Sequence, residues 1–322
     1  MLKMAWAALA SLTDRREHFH LSFAFGRKFR LELWDRPGLW CDDDRLVALT
    51  NDMRAVAAAG QEGKDVPVYG ALTGTREVLR SRVLTLVYDR TSGLPVGFNA
   101  MAYLDVRVGL LRETVLHLGL TFVDPQYQRQ GLPALLYGVA VFVVLFRRGI
   151  RGYWISSVTQ VPAVVGLVAD GYRNVYPHYD RSLTQTFAHL LLARAIMKEH
   201  RAAFGVGDEA GFDESRQVIT NAYTGGSDEL KKTFADAPKH RKNEVNSYCE
   251  KALDYGRGDD VLQIGRCTFG SMLQFLGGKL PRGSAFQLAY RAVMLLLVSS
   301  VIPILRWLLA RPEDYERDEH RV

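Results

Sequence analysis

Cysteine is scarce in this sequence. Cys41, Cys249 and Cys267 stand far apart in 322 residues, and no CxxC pair occurs. That excludes a disulfide scaffold and leaves a zinc site or redox dithiol without ligands, so no metal is expected. The thiols are expected to stay reduced, as in a cytoplasmic setting. No strong excess of one charge is present either: 41 Lys and Arg face 35 Asp and Glu, a net charge of +6. Such mild basicity suits a polyanionic cofactor, a membrane surface or nucleic acid, and selects none of them. The cluster Lys239-His240-Arg241-Lys242 lacks interleaved aromatics and reads as solvated surface, so no nucleic-acid partner is expected. Internal repeats and low-complexity tracts are absent. The apolar stretch at residues 1–10 is broken early by Arg15, Arg16 and Glu17. It is too short for a signal peptide and reads as an amphipathic first helix. Residues 292–305 carry no charge. As a helix they would reach about 21 Å, short of the ~30 Å hydrocarbon core, and Pro303 interrupts them.

What is present is a chain with 48% hydrophobic residues, enough for a large core and more than one domain. Residues 29–34 alternate as a strand. Asp42, Asp43 and Asp44 precede a helical spacing of Leu46, Val47, Leu49, Met53 and Val56, and Gly60 ends it. Residues 83–88 and 96–106 read as a hairpin around Asp89–Gly93, and 114–123 as a third strand. Residues 135–146 are apolar nearly all round, as in a buried helix. A strand is expected at 153–158 and a short helix at 162–169. From about His189 the chain reads as helical: 190–198, 229–234 and 244–255 are helix candidates. The apolar run 261–270 is taken as helix packing rather than a nucleotide loop, because it lacks the G-x-G-x-x-G spacing.

The most informative stretch is Val123-Asp124-Pro125-Gln126-Tyr127-Gln128-Arg129-Gln130-Gly131-Leu132-Pro133-Ala134. A strand runs into a short polar loop with one glycine, and an apolar helix follows at once. Such a loop points backbone N–H groups and a helix N-terminus at one place, which suits a phosphate or pyrophosphate. Gln128-x-x-Gly131 after the strand resembles the [QR]-x-x-G-x-[GA] signature of the GNAT (Gcn5-related N-acetyltransferase) superfamily. The departure is Pro133, which has no N–H to offer. Gln160-x-x-Ala163-x-x-x-Leu167-x-x-x-Gly171-Tyr172 is similar to a second GNAT stretch, with Leu167 where many members carry a proton-donating tyrosine. The resemblance covers residues 29–177, about half of the chain.

The resemblance implies an α/β fold: a mixed, splayed β-sheet flanked by helices, here with a helical C-terminal extension. The expected domains are 1–185, the GNAT-like unit, and 186–322, the extension. It implies transfer of an acyl group from acyl-CoA, or from a carrier-protein thioester, to an amine or hydroxyl. The alternative is a non-catalytic module that binds acyl-CoA or docks to a partner or membrane. The implied cofactor residues are Phe122 and Val123 for the pantetheine arm, Gln128, Arg129, Gln130, Gly131, Leu132 and Ala134 for the pyrophosphate, and Gln160. His117, six residues before Val123, is either the general base or a histidine satisfied within the sheet. Period-2 alternation puts it on one face with Gly119, Thr121 and Val123. Tyr172 and Tyr176 are candidates to replace the missing tyrosine. The acceptor is expected to be a small molecule or lipid-like. The C-terminal segment 285–309, with Arg291, Ser299 and Arg306 on one side, is expected to pack on the protein itself and to offer a surface to a membrane or partner protein, making the chain cytoplasmic and peripheral.

Overall fold

The computed structural model describes residues 18–61, 65–128, 130–148 and 152–271, with only the backbone at 146 and 148. The expected first helix and the segment 285–309 lie outside the described residues, as does Arg129. No helix among the described residues is long and apolar enough to cross a membrane.

The frame is a ten-stranded mixed sheet among the described residues. It begins with β1 (Phe19–Phe25) and β2 (Phe29–Asp35), an antiparallel pair. Helix α1 (Asp43–Gly60) follows, its first turn fixed by the Asp42 carboxylate, which accepts the Arg45 N–H at 2.7 Å. The one-turn α2 (Arg76–Leu79) leads into the antiparallel run β3 (Arg82–Asp89), β4 (Pro95–Val108) and β5 (Leu111–Val123). Then come α3 (Leu132–Arg148), β6 (Tyr153–Thr159), α4 (Pro162–Gly171) and β7 (Arg173–Tyr176). After β7 the chain builds α5 (Phe187–Glu199), the hairpin β8 (Gly211–Asp213) and β9 (Val218–Thr220), and α6 (Asn243–Ala252). It closes with β10 (Asp260–Cys267), antiparallel to β6, β7 and β9.

Helices cover both faces, which is why β3 is buried along its whole length. Leu46, Leu49, Met53 and Val56 of α1 pack on Leu84, Leu86, Phe98 and Ala100. Further along the same face of β4, Ala102, Leu104 and Val106 meet Leu192 and Ile196 of α5. The alternate positions Val83, Val87 and Met101 face Leu135, Leu136 and Val139 of α3.

The C-terminal half departs from expectation. Residues 261–267, taken as helix packing, are a strand in the middle of the sheet. Leu262 and Ile264 face α5, while Val261 packs with Val165 of α4 and Val245 and Cys249 of α6. A strand buried on both faces is a continuous apolar run, which periodicity cannot tell from a buried helix. The expected boundary at residue 185 is therefore not a seam: β10 lies between β6 and β7, which precede that boundary. The extension carries β8, β9 and β10 as well as helices. Residues 229–234, expected to be helical, hold only a single 3₁₀ turn at Asp228–Leu230. The three cysteines are unpaired and buried.

Candidate active site

The sheet opens where β5 and β6 run side by side. They pair only through Val115 with Trp154, Leu116 with Ile155 and His117 with Ser156. β6 pairs with β10 along its whole length, and beyond that point Ser157, Val158 and Thr159 pair with β10 alone, while Leu120–Val123 pairs with β4 alone. The two parallel strands thus part toward their C-terminal ends, and β5 presents an unpaired backbone edge to the gap.

A bulge sits at the start of the gap. Ala102 pairs with His117 but Ala100 pairs with Leu120, so Leu118 and Gly119 together oppose Met101. A Cβ on Gly119 would come within 2.0 Å of the Ala100 carbonyl oxygen, so only glycine fits. The Gly119 carbonyl accepts the Tyr137 hydroxyl from α3 at 3.2 Å. The extra residue also reverses the alternation. His117 shares its face with Leu120 and Phe122, which pack toward α1, whereas Val123 packs toward α3 and Thr121 pairs with Asn99 there. The expected common face of His117, Thr121 and Val123 does not exist.

At the end of β5 the chain makes the expected loop. The Asp124 carboxylate accepts the Gln126 N–H at 2.8 Å and starts a 3₁₀ turn. Gly131 takes φ +74°, a left-handed value natural to glycine, with nothing near its Cα side. Leu132 opens α3, so the N–H groups of Leu132 and Ala134 lack intrahelical acceptors. Pro133 takes a first-turn position where an N–H would have had no helical partner. Gln128 and Gln130 are exposed. Lys28 donates to the Gln130 side chain at 3.2 Å and lies over the Tyr127 ring, adding a cation beside the loop.

On the α1 and α5 face the gap is roofed by two loops. The loop before α2 and the one after β9 are joined by Val68 N–H to the Gly226 carbonyl at 3.1 Å. Gly205 lets the chain pass the Tyr69 ring, which a Cβ would approach to 3.0 Å. Tyr69 and Tyr223 of these loops form a buried polar group with Arg82, His117 and Asp260, Tyr69 interacting with Arg82 and Asp260, and Arg82 with His117. Burial pushes the Asp260 carboxyl up to about 7, partly offset by the Tyr223 hydroxyl, which donates to it at 2.9 Å. Burial also raises Tyr69, and the charges of Asp260 and of Tyr137 raise it further while Arg82 lowers it. Arg82 is pulled down to about 10 by burial.

Of the residues expected from sequence, Phe122 and Val123 end β5 at the gap, and Gln128, Gln130, Gly131, Leu132 and Ala134 form the loop and the start of α3. Gln160 follows β6 on the opposite wall. It is fully buried, its carbonyl accepting the Tyr255 hydroxyl at 2.7 Å while Oε1 has no partner. His117 is 2% exposed, with Nδ1 3.1 Å from Ser156 Oγ and its ring against Phe204. Burial, then the charges of Arg82 and His200, lower it to about 3, so it holds a proton weakly. Tyr172 packs on the α3 face, away from His117, and Leu167 packs beside the same cluster. Tyr176 donates to the Ser215 carbonyl at 2.7 Å, over the β8–β9 turn. The three expected catalytic side chains are not brought together. Sequence reasoning passes over Tyr137, Tyr69, Arg82, Asp260, Tyr223 and Lys28. Only Tyr137 carried a signal, as a phenol in an otherwise apolar helix nine residues after Gln128.

No family model matches the chain, and no curated protein matches it. Among solved structures it is similar to a GCN5-related N-acetyltransferase from Brucella melitensis, with 21% identity over 50% of this chain and 68% of that one and a TM-score of 0.26. It is also similar to a ribosomal-protein-S5-alanine acetyltransferase from Vibrio fischeri, with 16% identity over 43% and 73% and a TM-score of 0.27. Nourseothricin acetyltransferase matches with 17% identity over 24% of this chain, a TM-score of 0.19, and only 40% of its own length spanned. Scores this low put no residue of this chain in register with theirs. The chain's own order of strand, helix, hairpin, strand, loop, helix and strand, with β5 and β6 parting above a bulge, makes the fold GNAT-like.

Proposed function

We propose that this protein transfers an acyl group from acyl-CoA to an acceptor held under the two roofing loops. The observation that carries the reading is the gap between β5 and β6, which ends on the N–H-rich loop at Gly131. The free edge of β5 at Phe122 and Val123 suits the amides of a pantetheine arm. The loop from Gln128 to Ala134, with Lys28 beside it, suits the pyrophosphate. A thioester reaching the bulge would lie near Tyr137. Burial raises the pKa of that phenol, which keeps it protonated and able to protonate the departing thiolate. In this role Tyr137 stands in for the hydroxyl that Leu167 lacks. Most of the rate gain would come from holding the thioester and acceptor together. Among the described residues no cluster of His, Cys, Asp and Glu suited to a metal ion occurs.

Acetyl-CoA at about 100 times its Kd should stabilise the fold by about 2.7 kcal/mol, read as a rise in Tm. Gly131→Glu should abolish that rise by putting a side chain and a negative charge into the anion site. An unchanged Tm with acetyl-CoA, or equal calorimetric affinity in the variant, would overturn the assignment. Binding without thiol release on a panel of amines and alcohols would point to a non-catalytic acyl-CoA-binding module.

A further inference from the structure

The end of the sheet opposite the gap carries an apolar tip. Gly109 and Leu110 alone join β4 to β5, since Val108 pairs with Leu111. Gly109 takes φ +63°, as the first position of a type II′ turn requires, and this sets Leu110 at the apex. Leu110 is fully exposed and Leu111 two-thirds exposed. The hairpin also outruns its neighbours. β3 starts at Arg82, opposite Ala102, so residues 103–108 reach past it, and β5 first pairs with β6 at Val115, leaving residues 111–114 beyond. The tip thus stands about 13 Å clear of that pairing. It is braced rather than loose: Leu104 and Val106 pack on α5, and His200 Nε2 lies 2.9 Å from the Asp105 carbonyl oxygen. Directly behind the leucines Arg107 pairs with Arg112, both exposed. Like charges placed opposite one another repel, so this pair suits a surface that brings anions to it. Arg147 at the end of α3, over the Phe19 ring, and Arg266 at the end of β10, over the Trp154 ring, add positive charge at the same end. The acids of the hairpin arms, Asp105 and Glu113, each lie further from the tip than the arginine on the same strand.

We propose that this hairpin docks the protein on an anionic lipid surface, with Leu110 and Leu111 entering the headgroup layer and Arg107 and Arg112 meeting lipid phosphates. The path of the chain supports a membrane as the occupant. Phe19, the first residue of β1, pairs with Asp35, which pairs with Val83, which pairs with Met101. Arg266, near the end of β10, pairs with Trp154, which pairs with Val115. The chain therefore enters the described fold before β1 and leaves it after β10 at the hairpin's end of the sheet. The sequence on the entering side holds the apolar stretch 1–10, and that on the leaving side holds the uncharged run 292–305. Three apolar stretches thus converge on one end of the sheet, among arginines, as interfacial attachment requires. A second copy of the chain fits less well. Two leucines on a convex tip fall far short of the ~800 Å² per partner that a stable protein interface buries. The docked orientation puts the far end of β5, at Val123, about 40 Å from the lipid, so the gap opens toward water. The inference stands apart from the acyl-transfer reading and holds whether or not acetyl-CoA binds.

The test uses the full chain with vesicles of phosphatidylcholine containing one-third phosphatidylserine, and with vesicles of phosphatidylcholine alone. The native cysteines are buried, so a fluorophore sensitive to polarity can be attached at Leu110→Cys or, at the opposite end of the sheet, at Thr91→Cys in the β3–β4 turn. The label at 110 should shift to the blue on the anionic vesicles and be quenched by spin-labelled lipid, while the label at 91 stays in water. Arg107→Ala combined with Arg112→Ala should weaken vesicle binding roughly 30-fold, and added salt should weaken the wild type. Leu110→Ser combined with Leu111→Ser should weaken it about 10-fold or more. Because both pairs are exposed, the variants should keep the wild-type Tm. A label at 110 that stays in water while the protein sediments with vesicles overturns the proposal, since the termini alone would then make the contact. So does equal binding to both vesicle types, or no binding to either. A blue shift that grows with protein concentration in the absence of lipid would assign the tip to a second copy and overturn it as well.

Discussion

At the scale of single residues, burial sets the chemistry of this site more than charge pairing does. His117 has a folded value near 3 against an ordinary value near 6.5. Between those values the unfolded chain binds a proton that the folded protein refuses. The neutral ring's contribution is thus fully present above about pH 6.5 and lost as pH falls toward 3. Denaturant titrations should show stability falling below pH 6.5, with His117 accounting for up to about 1.4 kcal/mol per pH unit. His117→Gln should flatten that slope, and an unchanged slope would mean the ring is not the group refusing the proton. Asp260 works in the opposite sense. Its raised carboxyl weakens the fold as pH climbs from the ordinary acid range through about 7. A histidine that holds a proton this weakly makes a poor base, so its bond to Ser156 reads as a tie between β5 and β6 at the point where they part.

At the scale of elements, the parts that follow local rules were legible in the sequence. Helix α1 announced itself through Asp42 to Asp44 and the spacing of Leu46, Leu49 and Met53. The meander β3 to β5 did so through β-branched runs and turn residues, and the anion loop through Gln128-x-x-Gly131. Met53 is wholly buried between α1 and the sheet. Met53→Ala should cost about 2–5 kcal/mol, read as a lower denaturant midpoint with an unchanged m-value. What could not be read was set by contacts distant along the chain. The bulge at Leu118 and Gly119 reversed the alternation that placed His117, and no local pattern marks it apart from a glycine. Strand β10 looked like a helix because both its faces are covered. Nothing in the local sequence marks Asp260 as buried, since its burial depends on loops contributed from residues near 69 and 223.

At the scale of the whole molecule, the sheet ignores the halves that composition suggests. The strand that completes it, β10, arrives after residues 177–259 have built α5, α6 and the β8–β9 hairpin. A fragment of residues 1–185 leaves β6 and β7 without the strand between them. It should therefore lack a cooperative unfolding transition by circular dichroism, while a chain that retains β10 should show one. A sharp transition in the fragment would make the N-terminal part an independent unit. The same threading has a consequence during synthesis. The ribosome finishes β6 before it begins β10, and at ~5–20 residues per second the intervening residues 160–259 take about 5–20 s. For that interval the β6 edge that β10 will occupy stays bare, an invitation to pair with another nascent chain. Yield in a cell should then depend on holdase chaperones and on translation speed across this stretch.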